Sequence, residues 1–209
     1  MKKNFRSFKD SKNLISVINE NNILVFMVFA FLLGELIGVL IFKQKNQEGT
    51  FYSTEFKSFL SGYEGGFGAI FFSSLLSVLL SAAVLFLSGT SMAGSILTPI
   101  ILLLRGVNIA LVSSYLYAHY GLNGIIFNIL IIIPPAVLEG LALTLSAREA
   151  FGFSLSIARL ALPNKGAVTL DNDFKIYCMR QLFILIFYLL SVIIKVIMVL
   201  SFYSFFKLG

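Results

Sequence analysis

Five apolar stretches dominate this chain: Ile23 to Phe42, Ala69 to Leu87, Ile96 to Ala118, Gly124 to Ser146 and Leu182 to Phe206, each 19 to 25 residues long. About 20 helical residues cross the hydrocarbon core of a bilayer, and inside it only helices and closed barrels satisfy every backbone polar group. A soluble domain of 209 residues has no means of burying five helices that are apolar on every face. The charged fraction, 12%, is roughly half that of an ordinary globular domain. The expectation is an all-α, polytopic transmembrane bundle of about five spans. Residues 1–22 form a basic cytoplasmic tail, residues 23–206 a single transmembrane domain, with an external loop 43–68 and a cytoplasmic segment 147–181.

Orientation follows from Lys and Arg, which accumulate on cytoplasmic loops. Lys2, Lys3, Arg6, Lys9 and Lys12 precede the first span, and Arg148, Arg159, Lys165, Lys175 and Arg180 lie between the fourth and fifth. The other side holds Lys43, Lys45, Lys57 and Lys207. Ten against four places the N-terminus in the cytoplasm. A sixth membrane segment at Phe151 to Leu162 would reverse the C-terminus, but Arg148, Glu149 and Arg159 argue that this piece lies along the inner surface. The first span follows a polar leader of 22 residues and lacks a small-residue cleavage site, so it reads as a retained span and not a signal peptide.

The net charge of +6 comes from residues that flank spans, not from a polar domain with interleaved aromatics. Membrane lipid, anionic lipid above all, is therefore the expected counter-charge, and nucleic acid is not. In the external loop, Tyr52, Phe56, Phe59, Leu60, Tyr63 and Phe67 recur every three or four residues along one helical face. That stripe suits either an interfacial helix lying flat on the membrane or a docking face for an extracytoplasmic partner.

Chemistry-bearing patterns are sparse. Cys178 is alone and forms no internal disulfide or zinc site, and His119 is the single histidine. No metalloprotease motif or nucleophile elbow occurs, and no polar stretch is large enough for a catalytic domain, so the expectation is a non-enzyme without cofactor or metal. SGYEGGFG around Gly62 to Gly68 lacks the Lys-Ser/Thr ending of a phosphate loop and reads as a hinge at the membrane surface. Gly34 and Gly38 form a GxxxG, while Ser73, Ser77 and Ser81 repeat every four residues, both being surfaces for close helix packing. Either face could serve internal packing or a partner, which leaves the oligomeric state open.

Four ionisable residues fall inside spans, where charges are costly and usually pair. Measured from each span's cytoplasmic end at ~1.5 Å per residue, Arg105 lies at roughly 13 Å and Glu139 at roughly 10 Å, while Glu35 and Lys195 lie at roughly 18 and 20 Å. Depth sorts them into two acid–base pairs, either structural bridges or elements of an ion path. Pro99 and the Pro134/Pro135 pair remove backbone donors, so kinked helices are expected there.

The order of FLLGELIGVL, LTPIILLLRGVNIAL, HYGLNG and IIIPPAVLEGLALTLSAREAFGFSLSIARL, followed by DNDFKIYCMRQ and a last span, resembles the stage II sporulation protein M family over about 185 residues from Asn21. The resemblance rests on Arg105 and Gly106 in the third span and on Pro134, Glu139, Arg148 and Glu149 in and after the fourth. It implies a polytopic protein of the bacterial cell membrane that localises peptidoglycan-degrading partners for forespore engulfment during sporulation, with no catalytic residue to carry over. Other members of that broad family occur beside ABC exporters. An accessory subunit in bacteriocin export or immunity therefore stands as an alternative, as does a small transporter or channel.

Overall fold

The computed structural model describes residues 3–44, 66–160 and 170–202. These residues are helical apart from one tight turn: α1 (Lys3–Gln44), α2 (Gly66–Gly89), α3 (Gly94–Phe127), a π-helical segment (Asn128–Ile132), α4 (Ile133–Leu160) and α5 (Leu170–Phe202). Leu122 is 77% and Phe72 68% exposed, so large apolar side chains point outward all round the bundle. This is the arrangement of a membrane protein whose outer solvent is lipid. Four helical stretches are long and apolar enough to cross a membrane, against the five counted in sequence, because the third runs from Gly94 to Arg159 without a gap.

That third stretch is not straight. Its 66 residues would extend about 99 Å as one helix, yet Ser113 donates a hydrogen bond to Asn128 at 3.3 Å. The reversal occurs at Gly121, whose φ of 54° and ψ of −128° are those of the first central residue in a type II′ turn, a place for glycine. A Cβ at Gly121 would meet no other atom, so the backbone alone resists substitution there. Gly121→Ala is expected to cost about 1–3 kcal/mol, read as a lowered unfolding temperature in detergent, whereas Gly68→Ala, in open space, leaves it unchanged.

Among the described residues α4 is the one helix that packs against all four others, while α1 touches α3 and α4 but not α2 or α5. The main core draws on every helix, with Met27, Leu85, Leu102, Leu143 and Tyr188 at its centre. The α1–α3 contact is the most extensive, and backbones meet there directly. A Cβ on Gly34 would lie 2.1 Å from the Leu103 carbonyl oxygen, and one on Gly106 would lie 2.3 Å from that of Phe31. The GxxxG face of α1 is thus turned into the bundle.

The serine repeat is turned the other way. Ser73 and Ser77 are exposed and Ser81 is half-buried, whereas Ile70, Ser74, Val78 and Leu85 form the buried face of α2. Ser73 and Ser81 bond carbonyls of their own helix, those of Ile70 at 3.1 Å and Ser77 at 2.7 Å. A hydroxyl satisfied within its own helix gives no reason to bury that face. Pro99 is accommodated inside α3 without a non-helical residue beside it. The Pro134/Pro135 pair instead follows the π segment, in which the Ile133 amide reaches back to the Asn128 carbonyl. Phe151 to Leu160 simply continues α4. Tyr52, Phe56, Phe59 and Tyr63 lie outside the described residues, as do the side chains of the basic tail.

Candidate functional site

The polar side chains of the spans collect along the seam between α4 and α5. Most of these polar residues meet a partner, because an unsatisfied polar group in hydrocarbon costs several kcal/mol. Ser191 donates to the Pro135 carbonyl at 3.0 Å. Further along, Ser146 donates to the Gln181 side-chain oxygen at 2.8 Å, and Gln181 returns a bond to the Ser146 carbonyl at 3.0 Å. Arg180 reaches Glu149 at 2.8 Å, with Arg148 at 3.9 Å from the same carboxylate. These contacts follow one antiparallel register.

At the middle of the seam α4 presents Glu139, one turn beyond the proline pair. Arg105, which precedes the close-packed Gly106 on α3, donates from Nε to Glu139 Oε1 at 3.1 Å and from Nη2 to the same oxygen. Lys195 on α5 lies within electrostatic range of both Glu139 and Arg105. Tyr188, 1% exposed, lies within electrostatic range of the same two charges, with Ser146 beside its hydroxyl. The Arg105–Glu139 ion pair therefore ties α3 to α4, with Lys195 of α5 within electrostatic range of both charges.

The expected pairing of Glu35 with Lys195 does not form. Equal depth sets height in the membrane but not direction around the bundle, and the backbones of α1 and α5 do not approach each other. Glu35 takes part in no ion pair among the described residues. Sequence reasoning also missed Tyr188 and Ser191, although Tyr188, Ser191 and Lys195 are spaced three and four residues apart on one helical face.

A second set of polar anchors closes the end of the bundle at the Thr90–Ala93 turn. Ser154 accepts a bond from the Ser95 amide and donates to the Ser91 carbonyl, both at 2.8 Å. Tyr177 donates to the Phe86 carbonyl at 2.9 Å and stacks on Phe86 and Phe153. At the opposite end Asn128 accepts from Ser113, donates to the Tyr117 hydroxyl and ties the Gly121 hairpin shut, while His119 stacks on Tyr115. Compared with known proteins, the chain matches no family model, no curated protein and no solved structure.

Proposed function

We propose that the protein is a non-enzymatic scaffold of the bacterial cell membrane that holds peptidoglycan-degrading partners at the membrane during engulfment, the role implied by its resemblance to the stage II sporulation protein M family. The observation that supports this reading best is the Arg105–Glu139–Lys195 cluster. Arg105 and Glu139 neutralise each other between α3 and α4, within electrostatic range of Lys195 on α5, which supports a fixed frame. In the proposed topology the two arms on either side of Gly121 each cross the bilayer, giving five crossings with the N-terminus in the cytoplasm. Loop 43–68 then faces outward and offers Tyr52, Phe56, Phe59 and Tyr63 to a partner, where buried aromatic surface anchors a modest interface.

Changing Phe56, Phe59 and Tyr63 together to Ser is expected to release the partner hydrolase from the membrane fraction while the protein itself inserts normally. In a spore-forming host the septum then fails to curve. Normal engulfment by the triple variant overturns the proposal. One observation favours a second reading: Glu35 is a carboxylate inside a span with no ion pair among the described residues, which suits a cation on a helix of an exporter. Loss of bacteriocin export or immunity on gene deletion, with sporulation intact, would establish that accessory role instead.

A further inference from the structure

The α4–α5 seam continues beyond its polar rungs as a groove that changes character along its length. Leu145, Glu149, Gly152 and Ser156 form one stripe along α4, and Asp173, Ile176, Arg180, Phe183 and Phe187 form the facing stripe on α5, each at spacings of three and four. At the end near the Thr90–Ala93 turn the groove opens into a cavity of about 370 Å³ lined by Arg148, Glu149, Ser156, Asp173 and Arg180, and closed on one side by Ile23 of α1. The adjoining stretch, about 460 Å³, is lined by Leu145, Phe183, Ile184 and Phe187. Glu149 and Arg180 line both. The boundary between charged and apolar lining therefore falls where the apolar stretches of α4 and α5 end in sequence, at Ser146 and Leu182.

A groove that is charged outside the apolar layer and hydrocarbon-lined within it matches an amphipathic ligand, and the solvent at that level of a membrane is phospholipid. We propose that this groove holds one phospholipid with a zwitterionic, primary-ammonium headgroup. The charge balance selects the head: among the described residues two guanidinium groups, Arg148 and Arg180, and two carboxylates, Glu149 and Asp173, line the chamber. A phosphate is bound by the arginines through charge-assisted hydrogen bonds. An ammonium is bound by the carboxylates, and Asp173 is in no ion pair among the described residues. An anionic lipid would bring a surplus negative charge to an electrically even chamber, although the chain as a whole is basic. A quaternary ammonium, which has no N–H to donate, needs an open aromatic cage. Here Phe153 and Tyr177 stack on each other with centroids 4.7 Å apart. The acyl chain lies against Leu145, Phe183 and Phe187, in a volume within the usual range of small-molecule sites, about 300–1,000 Å³.

The site stands apart from the scaffold proposal, since neither needs the other. The test is native mass spectrometry of the full chain released from vesicles containing equal amounts of phosphatidylethanolamine and phosphatidylglycerol. The wild type is expected to retain phosphatidylethanolamine at least tenfold over phosphatidylglycerol. Asp173→Asn removes the ammonium acceptor and leaves a surplus cation, so the preference should invert. Leu145→Trp fills the apolar stretch and should abolish retention of both, while Lys175→Gln, outside the lining, changes nothing. Equal retention of the two lipids by the wild type, a wild-type preference for phosphatidylglycerol, or an unchanged preference in Asp173→Asn overturns the proposal. Because Asp173→Asn is close to isosteric, a folding defect in Leu145→Trp leaves the headgroup arm decisive.

Discussion

Glu139→Leu is expected to destabilise the bundle more than Arg105→Leu, although both break the same ion pair. Removing Glu139 leaves Arg105 and Lys195, two cations within electrostatic range of each other, without the anion that offsets them. Removing Arg105 leaves Glu139 with Lys195 still at hand. Breaking a buried pair from one side costs about 3–5 kcal/mol in proteins, and the absence of water inside a membrane gives no reason for less. Glu139→Leu should fall within or above that range and Arg105→Leu below it. The exchanged pair, Arg105→Glu with Glu139→Arg, should recover part of the loss. Unfolding in mixed micelles, followed by circular dichroism, orders the four proteins. Equal losses in the two single variants would mean that Lys195 is not part of the cluster, and an exchanged pair no better than Arg105→Glu alone would refute the pairing.

Gly106→Leu is expected to detach α1 from the rest of the bundle. A Cβ at Gly106 falls 2.3 Å from the Phe31 carbonyl oxygen and 3.0 Å from the Glu35 amide nitrogen, and backbone cannot swing aside as a side chain tip can. Ordinary overpacking costs about 1–3 kcal/mol. Here the two helix axes must separate, which also strips the contacts of Gly34 and Gly38, so the loss should lie at or above the top of that range. Because α1 packs only on α3 and α4, the remaining helices should stay associated. A disulfide trap between α1 and α3 should close in the wild type and fail in the variant, while one between α4 and α5 closes in both. Trapping of α1 at the wild-type rate would show that the close approach is dispensable.

The physics of a bilayer explains which parts of this arrangement are readable from sequence. Composition alone reveals helices that lipid surrounds, since nothing but a long apolar run satisfies that solvent. Arg105 and Glu139 could be matched because a charge at a given depth needs a partner at the same depth. The same reasoning joined Glu35 to Lys195 and failed, since depth carries no information on which helices are neighbours. Ser73, Ser77 and Ser81 turn away from the core for a related reason: a small polar residue is compatible with close packing inside the bundle but does not require it. The hairpin shows the converse. HYGLNG marks a turn in sequence, yet its closure by Asn128, Ser113 and Tyr117 depends on distances across the turn that no local pattern encodes.

The π segment Asn128–Ile132 gives the Gly94–Arg159 stretch a place where its length is negotiable. Such a segment amounts to one surplus residue inside an α-helix. Removing a residue within it would restore ordinary helix and keep Gly121 on one side, and Glu139 on the other, in the same phase. Removing a residue anywhere between Ile133 and Glu139 would instead turn the carboxylate by about 100° about the axis, away from Arg105. Insertions and deletions in this hairpin should therefore be tolerated at the segment itself and rejected a single turn beyond it, so the evolutionary record of this arm is expected to vary in length at Asn128–Ile132 while its inward face keeps its order.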